Sequence, residues 1–269
     1  MGDDTALADM PRHDAHQARR ALDDHAVMSS DSIRPGMPRL SQLANRTIRL
    51  PLSDEGINLG AITLGERIGG DGHYGFVYAI VGRPGLALKL IHRERSGPPS
   101  IARQVAGYRL LEPFPAEIPT VKIVASHCGN GEEACYLVVE NLHHGRWADR
   151  GVVVAPSVLG ERERAAARRL YDNLAARRIV AVDCHRDNLF FFAGSAGDLT
   201  AGILDHDYIF DLEEIPRVRQ RTLKRLFTLA GPRDAPAWAA LDRAVKGLGV
   251  SAQELMEAFF ELKILQDVR

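Results

Sequence analysis

Two short stretches of this 269-residue chain set oxygen-bearing side chains against apolar runs, a pattern that suits chemistry better than packing. One is Ile179 to Phe192 (IVAVDCHRDNLFFF); the other is Gly202 to Asp207 (GILDHD). Between them, the turn-forming AGSAGD predicts that Leu189 to Phe192 and Ala201 to Leu204 pair as an antiparallel hairpin. Such pairing sets Asn188, just before the first strand, beside Asp205, just after the second. Asp183 precedes Asn188 closely enough for all three side chains to converge on one pocket. Carboxylate and amide oxygens are the hard donors a divalent cation such as magnesium prefers, so Asn188 and Asp205 suit a metal. Asp183 suits a hydroxyl proton, which it could accept or orient. Asp183, Asp187, Asp205 and Asp207 would otherwise repel one another, and a bound cation relieves that repulsion.

A second candidate lies upstream. Ile68 to Val77 (IGGDGHYGFV) places Gly70, Gly72 and Gly75 in a GxGxxGxV frame with Val77. Glycines at this spacing let a turn pass close over phosphates and present backbone N–H groups to them. A dinucleotide-binding turn would open a helix after its third glycine, whereas FVYAIV continues as a strand. The motif therefore predicts a hairpin lid. Lys89 follows inside the apolar strand LALKLI, where its ammonium could pair with nucleotide phosphates, a contact worth about 4 kcal/mol at an effective dielectric near 20.

The elements that would position these residues are legible from periodicity. Strands are predicted at ITLGERIGG, GFVYAIVG and LALKLI, and again at Val121 to Ala125 and Tyr136 to Val139. A helix over Ser100 to Leu111, capped by Ser100 and stopped by Pro113, interrupts them. Beyond Asn141 the chain turns helical, with helices predicted at Glu161 to Arg177, Pro216 to Leu229, Pro236 to Leu248, and from the Ser251 cap to Leu265. From Met1 to about Thr47, scattered apolar residues among Asp, His, Arg, Ser and Pro predict a mostly disordered leader.

Bulk composition bounds the remaining possibilities. A hydrophobic content of 45% suffices for a buried core. With 34 Lys+Arg against 35 Asp+Glu, a formal net charge of -1 predicts no bulk attraction to nucleic acid. No apolar run approaches the ~18 residues that a membrane-spanning helix needs. Cys128, Cys135 and Cys184 form no CxxC pair, and their odd number argues for buried thiols in a reducing, cytoplasmic compartment.

At these residues the chain resembles the protein-kinase-like superfamily, from about Ile62 to Asp211. The resemblance implies a bilobal α+β fold: an N-lobe at 48–140 with a five-stranded antiparallel sheet and one helix, a hinge at 140–145, and a reduced, mainly helical C-lobe at 146–269. It implies ATP with Mg2+, or Mn2+ in its place, as the cofactors. Gly70, Gly72, Gly75 and Val77 become the glycine loop, Lys89 the third-strand lysine, Asp183 the catalytic aspartate, Asn188 a metal ligand and Asp205 the aspartate of the DFG position. Glu140 and the backbone of Asn141 and Leu142 would hold adenine. Departures from the family pattern are equally specific. Ala181-Val182 replace the His-Arg before the catalytic aspartate, DFG becomes Asp205-His206-Asp207, and Gln104 stands where a glutamate would partner the lysine.

Three functions fit this pattern. The overall spacing and short C-lobe resemble the compact Ser/Thr kinases that some bacteria inject into host cells, which implies a host protein as substrate and secretion from the cytoplasm. DCHRDN from Asp183 to Asn188 is also similar to the DxHxxN of aminoglycoside and choline kinases, with His185 as the discriminating residue, which implies a small-molecule hydroxyl acceptor. The altered residues also fit a pseudokinase that binds partners without transferring phosphate.

Overall fold

Alternation of β-branched and aromatic residues with glycine along 61–91 builds an antiparallel ladder, the start of a mixed α/β structure. The computed structural model describes residues 43–72, 75–91, 97–128, 135–194 and 197–266. The leader up to residue 42 lies outside the described residues. The chain falls into two compact units, one running up to Ala102 and including Val124–Val138, the other comprising Arg103–Ile123 and Val139 onward.

The first unit carries β1 (Thr47–Arg49), β2 (Ala61–Gly72), β3 (Gly75–Ile80), β4 (Leu86–Ile91) and most of β5 (Ile123–His127) and β6 (Cys135–Glu140), in the sheet order β1-β2-β3-β4-β6-β5. The sheet has six strands rather than five. The additional strand, β1, pairs antiparallel with the start of β2, with Ile48 opposite Ile62. A three-residue strand has no periodicity of its own to read, and only its partner makes it one. Register shifts between Leu64 and Gly72 mark bulges in β2 that increase the local twist. One face buries Leu50, Ile62, Leu64, Tyr78, Leu88, Leu90, Tyr136 and Val138, and the Tyr136 hydroxyl donates to the Pro51 carbonyl at 2.8 Å.

Cys128 and Cys135 form a disulfide across the mouth of the β5–β6 hairpin, with Cα atoms 4.2 Å apart. This corrects the reading of three free thiols. An odd cysteine count leaves at least one thiol unpaired, and that thiol is Cys184, which is buried.

In the second unit, helix α1 (Gly97–Leu111) enters from the first unit and is followed by α2 (Glu161–Ala176), α3 (Gln220–Leu229), α4 (Pro236–Val245) and α5 (Ala252–Phe260). Ser251 caps α5 by accepting a hydrogen bond from the Glu254 N–H, as its position predicts. Ser100, by contrast, lies inside α1 and is fully buried, not its cap. Pro216 sits in a 3-10 turn, Leu212–Arg217, so α3 starts later than the proline suggests. The α2 stripe of Ala166, Ala167, Leu170, Tyr171, Leu174 and Ala175 is buried against the core of this unit.

Five short strands thread through these helices: β7 (Val153–Val154), β8 (Ile179–Ala181), β9 (Leu189–Ala193), β10 (Leu199–Ile203) and β11 (Ile209–Asp211). They form the sheets β10-β9-β7 and β11-β8. No described helix is long and apolar enough to cross a membrane.

Candidate functional site

Two antiparallel pairs in the second unit converge on the acidic loops. In the β9–β10 hairpin, Leu189 lies opposite Ile203, and the Leu204 N–H donates to the Asn188 carbonyl at 2.9 Å. Asn188 and Asp205 are therefore neighbours across the open end of the hairpin, as the spacing predicts. The second pair joins β8 to β11, with Ala181 opposite Ile209 and the Val182 N–H donating to Tyr208 at 3.0 Å. This pair brings the segment before Asp183 to the segment after Asp207. Each of the two acidic loops is thus held at both ends by strand pairing.

Within this frame Asp183 is mostly buried, its side chain 16% exposed. Burial pushes its carboxyl up to about 7; Lys263 draws it down, while Asp205 and Asp207 push it further up. The Asn188 side-chain amide donates to the Asp183 main-chain oxygen at 2.8 Å and lies 3.2 Å from His185 Nε2. His185 Nε2 is 3.6 Å from Asp183 Oδ1, and burial lowers the imidazole pKa, keeping the ring neutral. Asp205 Oδ1 accepts from the Asp207 N–H at 3.1 Å, closing a tight turn around His206.

The side chains gathered here include oxygens of the kind that could bind a divalent cation. Among the described residues, no group of three or more His, Cys, Asp or Glu side chains is arranged to hold a metal alone. Asn188 and Asp205 offer two oxygen ligands on adjacent loops, a set magnesium accepts when phosphate oxygens and water complete its shell. The mutual repulsion of Asp183, Asp205 and Asp207 gives such a cation a reason to stay.

Asp207, Arg103 and Lys263 matter more in this region than the sequence suggested. The Asp207 carboxylate is clamped by the Arg103 guanidinium through contacts of 2.5 and 3.1 Å. Arg103 also stacks over the Tyr208 ring at 4.9 Å, and Tyr208 itself holds a left-handed backbone, φ 59. A bulky residue in that conformation is strained and persists only because its surroundings hold it. Here those surroundings include Arg103 and Arg225, which donates to the Tyr208 hydroxyl at 3.2 Å. His206 is buried between the Thr120 hydroxyl, 2.5 Å away, and the Tyr108 ring in an edge contact. Gly107 of α1 runs so close beneath the His206 carbonyl that any Cβ there would collide with it. Helix α1 is therefore fastened to the Asp205–Tyr208 turn. No local pattern in the sequence marks the partner of Arg103, more than a hundred positions away.

The other expected residues occupy the following places in the fold. Gly72 pairs with Gly75 at the end of the β2–β3 hairpin, whose tip residues 73–74 lie outside the described residues. Gly75 has a packing reason of its own, since a Cβ would strike the Leu90 carbonyl oxygen of β4. Gly70 belongs to the same β2 strand. Val77 lies directly opposite Lys89 in the β3–β4 ladder, and Lys89 is half-buried. Gln104 is buried in α1. Glu140, at the end of β6, is gripped by Arg146 through two contacts of 2.9 Å, so its carboxylate is already committed. Leu142 joins a buried cluster with Val121, Trp147, Phe190 and Phe192, offering an apolar surface beside the backbone.

No family model matches the chain, and no curated protein matches it. Among solved structures, it is similar to the crystal structure of the BubR1 kinase domain, at 13% identity over 83% of each chain with a TM-score of 0.44.

Proposed function

We propose that this chain is an ATP- and magnesium-dependent phosphotransferase with an alcohol group as acceptor, acting first on protein serine or threonine hydroxyls. One observation carries the reading. Two separate strand pairs gather Asp183, Asn188 and Asp205 into one partly buried cluster that packing alone would disfavour. Asp183 orients the acceptor hydroxyl and takes up its proton as the hydroxyl oxygen bonds to the γ-phosphorus and ADP departs. Asn188 and Asp205 would hold magnesium, which when bound neutralises charge on the phosphates. The β2–β3 hairpin with Gly70, Gly72, Gly75 and Val77, together with Lys89, supplies the phosphate-binding groups of the first unit. The backbone around Glu140 and Leu142 supplies the groups for adenine.

A second reading, transfer to a small-molecule hydroxyl, is favoured by His185 beside Asp183. Against it stands Asp207, whose carboxylate is committed to Arg103 and does not act as a second acidic metal ligand. Assignment to the compact bacterial effector kinases, with a host protein as substrate, rests on the motif spacing from Lys89 to Asp183 and on Ala181-Val182 before that aspartate.

The deciding experiment incubates the purified chain with labelled ATP and magnesium, alongside a eukaryotic lysate and a panel of aminoglycosides and amino alcohols. Label in a protein band is expected, and Asp183→Ala should abolish it while nucleotide binding survives. Label confined to small molecules moves the assignment to the second reading. Unchanged transfer by the Asp183 variant removes the role given to that carboxylate.

A further inference from the structure

Arg217, Arg219, Arg221, Lys224 and Arg225 fall within nine residues, and no Asp or Glu occurs from Ile215 to Arg233. The run is a local exception in a chain whose net charge is -1. All five basic residues are exposed. The last three lie on α3, where spacing of three and four positions puts Arg221, Lys224 and Arg225 on one face. The opposite face carries Leu223, Leu226 and Phe227, which pack into the core of the second unit.

This arrangement works against the helix that carries it. Like charges three and four positions apart repel one another. Positive charge in the first turn of a helix also opposes its macrodipole, and α3 has no acidic residue there to offset it. Among the described residues, Arg217, Arg221 and Lys224 form no ion pair with a carboxylate. Charges held together at a cost to the fold, with no internal counter-charge, gain most from an anionic partner.

A single side chain ties this face to the candidate site. The Tyr208 hydroxyl accepts from Arg225 at 3.2 Å, and the Tyr208 carbonyl accepts the Val182 N–H at 3.0 Å, next to Asp183. The basic face therefore begins one tyrosine away from the loop of the proposed proton acceptor. Because the apolar face of α3 is already buried in the core, the helix has nothing to insert into a lipid surface. The balanced charge of the whole chain supplies no broad positive field for a nucleic acid either. A short carboxylate-rich segment of polypeptide fits what remains.

We propose that the exposed basic face of α3 selects protein substrates by binding Asp and Glu side chains that flank the acceptor hydroxyl. The inference rests on the phosphotransferase reading and gives it a substrate class, acidic polypeptide segments. An extended segment rises about 3.3 Å per residue, so carboxylates within about five positions of the acceptor span the gap from the Asp183 loop to Arg221 and Lys224.

The test offers the full chain, with ATP and magnesium, peptides of equal length in which a central Ser is flanked by Glu, Gln or Lys. The kcat/KM for the Glu peptide should exceed that for the Gln peptide by about 10-fold, and the advantage should shrink as NaCl is added. In the double variant Arg221→Gln with Lys224→Gln, that advantage should disappear. Charge reversal, Arg221→Glu with Lys224→Glu, should turn the preference toward the Lys peptide. Both positions are exposed, so the Tm of these variants should stay close to that of the parent chain. Equal kcat/KM for the three peptides in the parent chain, or a Glu preference that survives in the Gln variant, overturns the proposal and leaves the phosphotransferase reading standing. If the parent chain phosphorylates neither peptide nor lysate protein, that reading fails, and fluorescence anisotropy of the labelled peptides tests the surface by itself. The Glu peptide should then bind the parent chain and not the Gln variant; equal binding, or none, overturns the surface. Tighter binding to phosphatidylserine vesicles or to duplex RNA, lost in the same variant, overturns the choice of partner.

Discussion

The β2–β3 hairpin and the Asp183–Tyr208 region both carry residues of the kinds used in phosphate chemistry, yet they differ in how far packing alone explains them. In the hairpin, Gly75 is required by the carbonyl of Leu90 whatever else the strand does. That glycine would be needed for β3 to lie against β4 even in a protein that bound nothing. In the acidic loops the reverse holds. Burying Asp183 near Asp205 and Asp207 opposes folding, an effect that Lys263 only partly offsets, and contributes nothing to the apolar core. Residues kept against the demands of stability are stronger pointers to function than residues that stability requires.

That contrast can be broken most sharply at Asp183 itself. Asp183→Asn should lower transfer by about 10³-fold or more, since the proton acceptor is gone. The same change should raise stability. The folded-state pKa of Asp183 is raised from 3.8 to about 7, so the folded chain favours the protonated form. Its stabilising contribution is complete below pH 3.8 and disappears as the pH climbs through about 7. The Asn variant loses nothing over that window, so its Tm advantage should open between acid and neutral pH, as thermal melts in EDTA will show. A variant that melts lower than the parent at pH 8 would mean that the carboxylate is structural.

The next largest effect is expected at the clamp on α1. Asp207→Ala leaves Arg103 without its buried partner and should cost about 3 kcal/mol in urea unfolding. A double-mutant cycle with Arg103→Ala should return a coupling of at least about 1 kcal/mol, and additive losses would dissolve the clamp. In the first unit, reducing the Cys128–Cys135 disulfide or replacing Cys128 with Ser removes a short-loop cross-link, worth about 2 kcal/mol by chain entropy. Dithiothreitol should lower the Tm of the parent chain and leave that of the Ser variant unchanged. The smallest effect belongs to the exposed pair Arg178–Glu213, 2.9 Å apart on the surface. Arg178→Ala should change stability by less than about 1 kcal/mol, and a larger loss would extend the structural network beyond the acidic loops.

Much of the candidate site was legible before any coordinates. The β9–β10 hairpin, the adjacency of Asn188 and Asp205, the Ser251 cap and the α2 stripe all follow from spacing within a few dozen residues. Local periodicity and turn chemistry act over that range, so they leave a mark in the order of residues. The β8–β11 pair did not, because each strand is three residues long and its partner lies beyond an entire hairpin. Neither did the disulfide, since cysteine counting bounds the number of bridges but not their presence.

Composition and order alone therefore determined which side chains could handle a metal and a proton, and which turn would hold them. Tertiary structure alone decided that Asp207 faces Arg103 and that α1 is fastened to the turn at His206. The physical reason is range. A charge or a clamp acts through a few ångströms of space, and only the folded core brings residues so far apart in the chain to within that distance.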